Sequence, residues 1–212
     1  MLLRIIALTS LLLQSLFMAF PLFADNNPDY KAFLSGQKSK YDSTGNEKAK
    51  GLHFTIEYPS TWVAEAGKRP DIVQVFTNKG ENKCSIACTV LVKNVPLDEA
   101  SELSGIGTDD KDFLTSMVDS AGGHLLDLGS TKVEGLPTGW VSYSVFKERA
   151  GFKVNMICLD YVMFYKPYLI VISYQVGGVE DLIDKSFLNN QYQSYILLFK
   201  LMLNSFIIQD KY

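Results

Sequence analysis

Gly151-Phe-Lys-Val-Asn-Met-Ile-Cys-Leu-Asp-Tyr-Val-Met-Phe-Tyr165 and Tyr168-Leu-Ile-Val-Ile-Ser-Tyr-Gln-Val176 are two nearly continuous apolar runs joined by Lys166-Pro167. Runs of this kind, rich in Val, Ile and Tyr, predict strands buried on both faces. The Lys-Pro pair between them predicts a hairpin turn. A sheet with two such central strands needs neighbours on both sides.

The chain supplies them upstream. His53 to Tyr58 alternates as a strand does, and Pro59-Ser-Thr-Trp62 turns the chain. Ala64 to Asp71 reads as a polar loop, and Ile72 to Thr77 as a second strand. Cys84 to Lys93 is a third, rich in Val, Ile and Thr. Two more strands are expected over about His124–Val133 and Trp140–Glu148. Between them and the third strand lies a helix. Thr108 is its expected cap, Asp109, Asp110 and Asp112 favour its N-terminus, and Gly122-Gly123 ends it. Downstream, Tyr192, Tyr195, Ile196, Phe199, Met202, Leu203 and Phe206 form one apolar stripe at helical spacing. Gln193, Ser194, Lys200 and Asn204 lie off the stripe. One lysine on the polar face is too few for a membrane-surface helix, so the stripe predicts docking onto the sheet.

The start of the chain reads differently. Arg4 is followed by an apolar run from Ile5 to Phe23, then Pro21 near its end, Ala24, and the polar Asp25-Asn26-Asn27. This is the pattern of a secretory signal, with cleavage expected after Ala24. The other reading is an uncleaved anchor, since the run approaches the ~20 residues a spanning helix needs. Residues 25–50 read as a polar leader over the domain, and residues 51–212 as one α+β domain. About 188 residues remain after cleavage, ample for one core.

Composition narrows the function. The net charge is −3, with basic and acidic residues scattered. No basic field exists to meet a phosphate backbone, which argues against nucleic acid. Gly-x-Ser-x-Gly is absent, and Gly105-Ile-Gly107-Thr-Asp-Asp-Lys111 lacks the form of a phosphate loop. His53 and His124 are the two histidines, far apart, so no metal cluster is expected. No catalytic residue, cofactor or metal is assigned. Cys84, Cys88 and Cys158 do not make a Cys-x-x-Cys. Four residues apart on one strand, Cys84 and Cys88 would stand about 13 Å apart, too far to bridge. Any intramolecular disulfide must therefore join Cys158 to Cys84 or Cys88; three buried thiols are the alternative.

Phe54-Thr-Ile-Glu-Tyr58-Pro59-Ser-Thr-Trp62, then Arg69-Pro-Asp-Ile-Val-Gln-Val-Phe76, resembles the opening of a PsbP-type domain. Phe199-Lys-Leu-Met-Leu-Asn-Ser-Phe206 is similar to that family's closing helix. The resemblance covers most of residues 51–208 and implies an antiparallel sheet with helices on both faces, the α/β/α sandwich of PsbP and Mog proteins. It transfers no catalytic residues. Tyr58, Pro59, Trp62 and Phe206 are read as scaffold.

Two functions follow as expectations. The first is a non-catalytic protein-binding module of the cell envelope, periplasmic or secreted, with no stable membrane span after signal cleavage. Its surface would be the loop carrying Glu65, Lys68, Arg69 and Asp71, together with the leader. The second is a small-molecule or lipid-binding protein, or a minor hydrolase, with a pocket between sheet and C-terminal helix. Tyr161, Tyr165, Tyr168, Tyr174, Tyr192 and Tyr195 are its candidate lining, with simple packing the commoner role for such residues. A deep pocket with convergent polar groups would favour the second, and a filled interior the first.

Overall fold

The structure, a computed structural model, describes residues 27–78, 84–96, 110–149 and 151–211. The expected signal over residues 1–24 and the expected Thr108 cap lie outside the described residues. What is described is an α+β fold dominated by antiparallel sheet. The strands are β1 (Lys38–Asp42), β2 (Phe54–Pro59), β3 (Val63–Ala66), β4 (Ile72–Asn78), β5 (Cys84–Asn94), β6 (Gly123–Val133), β7 (Leu136–Arg149), β8 (Phe152–Tyr165), β9 (Tyr168–Val179) and β10 (Ile207–Ile208). The helices are α1 (Pro28–Leu34), α2 (Lys111–Ala121) and α3 (Lys185–Asn204). Seven strands form one sheet in the order β3-β4-β5-β9-β8-β7-β6, and β1-β2-β10 form a second.

The two apolar runs form the β8–β9 hairpin, with Tyr165 opposite Tyr168. Lys166 takes the left-handed conformation at the turn, with φ 56°. β8 and β9 are held between β7 and β5, which is why their sequences are apolar on both sides. Residues on one face, Ile157, Leu159, Tyr161, Ile170, Ile172 and Tyr174, join the larger apolar cluster. The alternate residues Cys158, Val162 and Val171 join a second cluster with Val141, Tyr143 and Val145 of β7.

α3 gives Leu188, Tyr195, Leu198, Phe199 and Met202 to the larger cluster. Phe199 stacks on Tyr174 with ring centroids 4.6 Å apart, fixing the helix over β9. The helix begins a full turn and more before the apolar stripe, because Asp184 caps it by accepting from the Phe187 N–H at 2.7 Å. α2 places Leu114 and Val118 in the second cluster. Its N-cap is Asp110, whose carboxylate accepts from the Phe113 N–H at 2.8 Å, and Gly122 closes it at φ 67°.

Three sequence expectations change. Residues 27–50 are not a solvated leader. Asn27 caps α1 by accepting from the Tyr30 N–H, Pro28 takes the first helical position, and β1 pairs along β2. Phe33 and Ala49 are core residues. Ala64 to Asp71 is not all loop, because β3 pairs with β4. Finally, β2 lies outside the main sheet, pairing with β1 and β10.

Asp29 of α1 locks this arrangement. Its carboxylate is buried, and it accepts from Trp62 Nε1 at 2.9 Å, Asn78 Nδ2 at 2.6 Å, the Tyr195 hydroxyl at 3.1 Å and Thr61 Oγ1 at 3.1 Å. One side chain thus joins α1, the β2–β3 turn, β4 and α3. Asn27 adds a second tie, donating from Nδ2 to the Ser194 carbonyl.

The cysteines are three buried free thiols. Cys84 and Cys88 do share a face of β5, within the larger cluster. Cys158 belongs to the second cluster, and β9 stands between β5 and β8. The structure therefore does not bring Cys158 to either of the others. Burial raises all three thiol pKa values, Cys158 to about 12. Ellman's reagent is expected to find no fast-reacting thiol in the native protein and three after unfolding. A rapidly titrating native thiol, or a cystine in non-reducing peptide maps, would contradict this.

Candidate functional site

α3 crosses the sheet over β8 and β9, and this placement leaves part of β6 and β7 open beside it. The result is a groove of about 740 Å³ between the helix and the β6–β7–β8 edge. This is within the size range of small-molecule sites. Cross-strand register builds its floor. Asp127, Ser142 and Leu159 stand side by side in one row, and Gly129, Trp140 and Tyr161 in the next. The register of β6 shifts between Leu125 and Asp127, and the irregularity brings both Leu126 and Asp127 to the groove.

Gly129 has a steric reason. A Cβ there would lie 2.8 Å from Trp140 Cζ2 and 3.0 Å from its Nε1, so the indole occupies the space of the missing side chain. The helix wall carries Asn189, Tyr192, Gln193, Ile196, Lys200, Leu203 and Asn204. Tyr192 and Ser142 share a 3.0 Å hydrogen bond between helix and sheet at the groove. Burial raises the pKa of Tyr161 to about 12, and also raises that of Tyr192, so both present neutral hydroxyls. Lys200 and Asp127 oppose one another in charge. No histidine or cysteine lines the groove.

Of the six candidate tyrosines, Tyr161 and Tyr192 line the groove. Tyr174 packs in the core, Tyr195 is bound to Asp29, Tyr165 donates to the Asp210 carbonyl and Tyr168 to the Lys50 carbonyl. In the other candidate region, Glu65, Lys68 and Arg69 are exposed, and Asp71 forms an ion pair with Lys50. Tyr58 is half-buried against Phe76, and Pro59, Trp62 and Phe206 are buried. Among the described residues no group of three or more potential ligands could hold a metal, and no helix is long and apolar enough to cross a membrane.

A buried polar cluster sits on the opposite face of β8. The Tyr143 hydroxyl donates to Asp160 Oδ2 at 3.0 Å, while Oδ1 is buried without a hydrogen bond. Burial pushes the Asp160 pKa up to about 6; Ser173 and Tyr143 offset this only in part. The unfolded chain titrates near its ordinary value of about 4. Between those values the native state holds the extra proton, so stability falls as pH rises through the window. Asp160→Asn is expected to remove roughly 3 kcal/mol of that pH dependence. Urea unfolding of both proteins from pH 4 to pH 7 checks it, and parallel curves would contradict it.

No family model and no curated protein matches the chain. Among solved structures it is similar to LpqN, described as involved in cell envelope biogenesis of Mycobacterium tuberculosis. The identity is 10%, the TM-score 0.42, and the match covers 86% of this chain and 99% of that one. It is also similar to a structure from Bacteroides thetaiotaomicron VPI-5482, at 11% identity and TM-score 0.40. That match covers 82% of this chain and 49% of the other. At such identities and scores the likeness carries no function across.

Proposed function

We propose that the chain is an exported protein that binds a small molecule in the groove between α3 and the β6–β7–β8 edge. The observation that carries this reading is the groove itself, with aromatic and amide side chains converging on about 740 Å³. Binding is favoured over hydrolysis because, among the described residues, the lining holds one carboxylate, Asp127, and no histidine or cysteine to pair with it. The loop from Glu65 to Asp71, the alternative surface for a protein partner, has Asp71 engaged by Lys50. An α/β/α layering of the PsbP or Mog type belongs to the same proposal. It is supported by α3 in one apolar cluster and α2 in the other.

Saturation-transfer NMR on small-molecule extracts of the exporting compartment tests the binding. The wild type is expected to saturate a ligand, and Ile196→Trp, which fills the groove, is expected to lose it. Equal signals from both proteins, or none from the wild type, would overturn the reading. Export itself rests on Arg4, the apolar run and Ala24. Mass spectrometry of the exported protein should find Asp25 as its first residue, and a membrane-embedded full-length chain would contradict that.

A further inference from the structure

We infer that the ligand is a neutral oligosaccharide; this rests on the groove being the binding site. The first argument is shape. The helix wall runs from Asn189 to Asn204, about 22 Å at 1.5 Å per residue. That suits an extended chain of several sugar rings rather than a compact metabolite.

The second argument is the chemistry of the lining. Sugars present apolar C–H faces and a rim of hydroxyls. Trp140, half-buried, offers aromatic surface to the former beside the buried Tyr161 and Tyr192 of the lining. Asn189, Gln193, Asn204, Ser130, Thr131 and Asp127 offer paired donors and acceptors to the latter. An acyl chain would strip water from these polar groups without replacing its hydrogen bonds, which is unfavourable. The third argument is charge. Among the described residues Asp127 and Lys200 are the acidic and basic side chains of the lining, and they balance, so this lining favours neither an anion nor a cation.

The test is an array of neutral glycans, followed by titration with the hits read by tryptophan fluorescence. The chain has two tryptophans. Trp62 is buried and tied to Asp29, so a ligand in the groove reports through Trp140. A saturable change is expected, and Trp140→Ala should weaken binding at least tenfold. Asn189→Ala with Gln193→Ala alters side chains of the helix wall outside the buried core, and should also weaken binding at least tenfold with the circular dichroism unchanged. No saturable binding to any neutral glycan at millimolar concentration would overturn the inference. Saturable binding of a fluorescent fatty acid or a peptide instead, lost in Ile196→Trp, would overturn the saccharide while leaving the groove reading intact. Silence of all three ligand classes would sink both.

Discussion

Asp29→Ala is expected to lower the melting temperature by about 10 °C. The carboxylate accepts from Trp62, Asn78 and Tyr195 through one oxygen and from Thr61 through the other. Removing it takes the acceptor from the buried Trp62 N–H and Tyr195 hydroxyl, each loss costing about 1–3 kcal/mol, while Asn78 keeps its bond to Tyr195. These donors come from three parts of the chain, so the loss also loosens α1 from α3. A total of roughly 3–5 kcal/mol follows, because losses within one network do not add fully. Asp29→Asn keeps the shape and part of the acceptor capacity, and should fall between. A calorimetric melt checks the series; an unchanged midpoint in Asp29→Ala would show that the carboxylate does not hold the fold.

Trp62→Ala should cost a similar amount, about 3–5 kcal/mol. The indole is 4% exposed, and its N–H bonds Asp29. Its ring lies 6.4 Å from that of Tyr195. Truncation leaves a cavity where the β2–β3 turn meets α3 and strips one donor from Asp29. Since both residues serve one network, the double substitution Asp29→Ala with Trp62→Ala should cost less than the two singles added. Denaturant unfolding of the four proteins gives the coupling. Full additivity would show that the two side chains act independently, and an unaltered stability with ligand binding lost would show that Trp62 is a recognition residue instead of a structural one.

How far the sequence reached depends on whether a feature is local. The β8–β9 hairpin was legible because its runs are long and apolar throughout, and α3 because its stripe repeats over four turns. β1, β3 and β10 were not, being short and polar or half-exposed; their pairing depends on strands far away in the chain. α1 did carry a local sign in Asn27-Pro28-Asp29, an N-cap followed by proline at the first helical position, which also reads as a turn. Of the two cysteine readings, the structure has the three buried thiols, and strand order is the reason. Facing can be counted along a strand, but the insertion of β9 between β5 and β8 is a tertiary fact.

The groove was half legible. Gln193, Lys200 and Asn204 stood out as the polar side of α3, and they do form its wall. Its floor could not be read, because Asp127, Ser142 and Leu159 meet only through the register of three strands. The register shift at Leu125–Asp127 leaves no fixed composition behind. Glycine at 129 is interpretable only once Trp140 is seen to occupy its side-chain space.

Ligand binding beside α3 is tested most directly by amide chemical-shift mapping of residues 25–212. On titration with ligand from the exporting compartment, the account predicts shifts concentrated at Leu126–Thr131, Trp140–Ser142 and Asn189–Asn204. Shifts concentrated instead at Glu65–Asp71, with the groove residues unmoved, would contradict it.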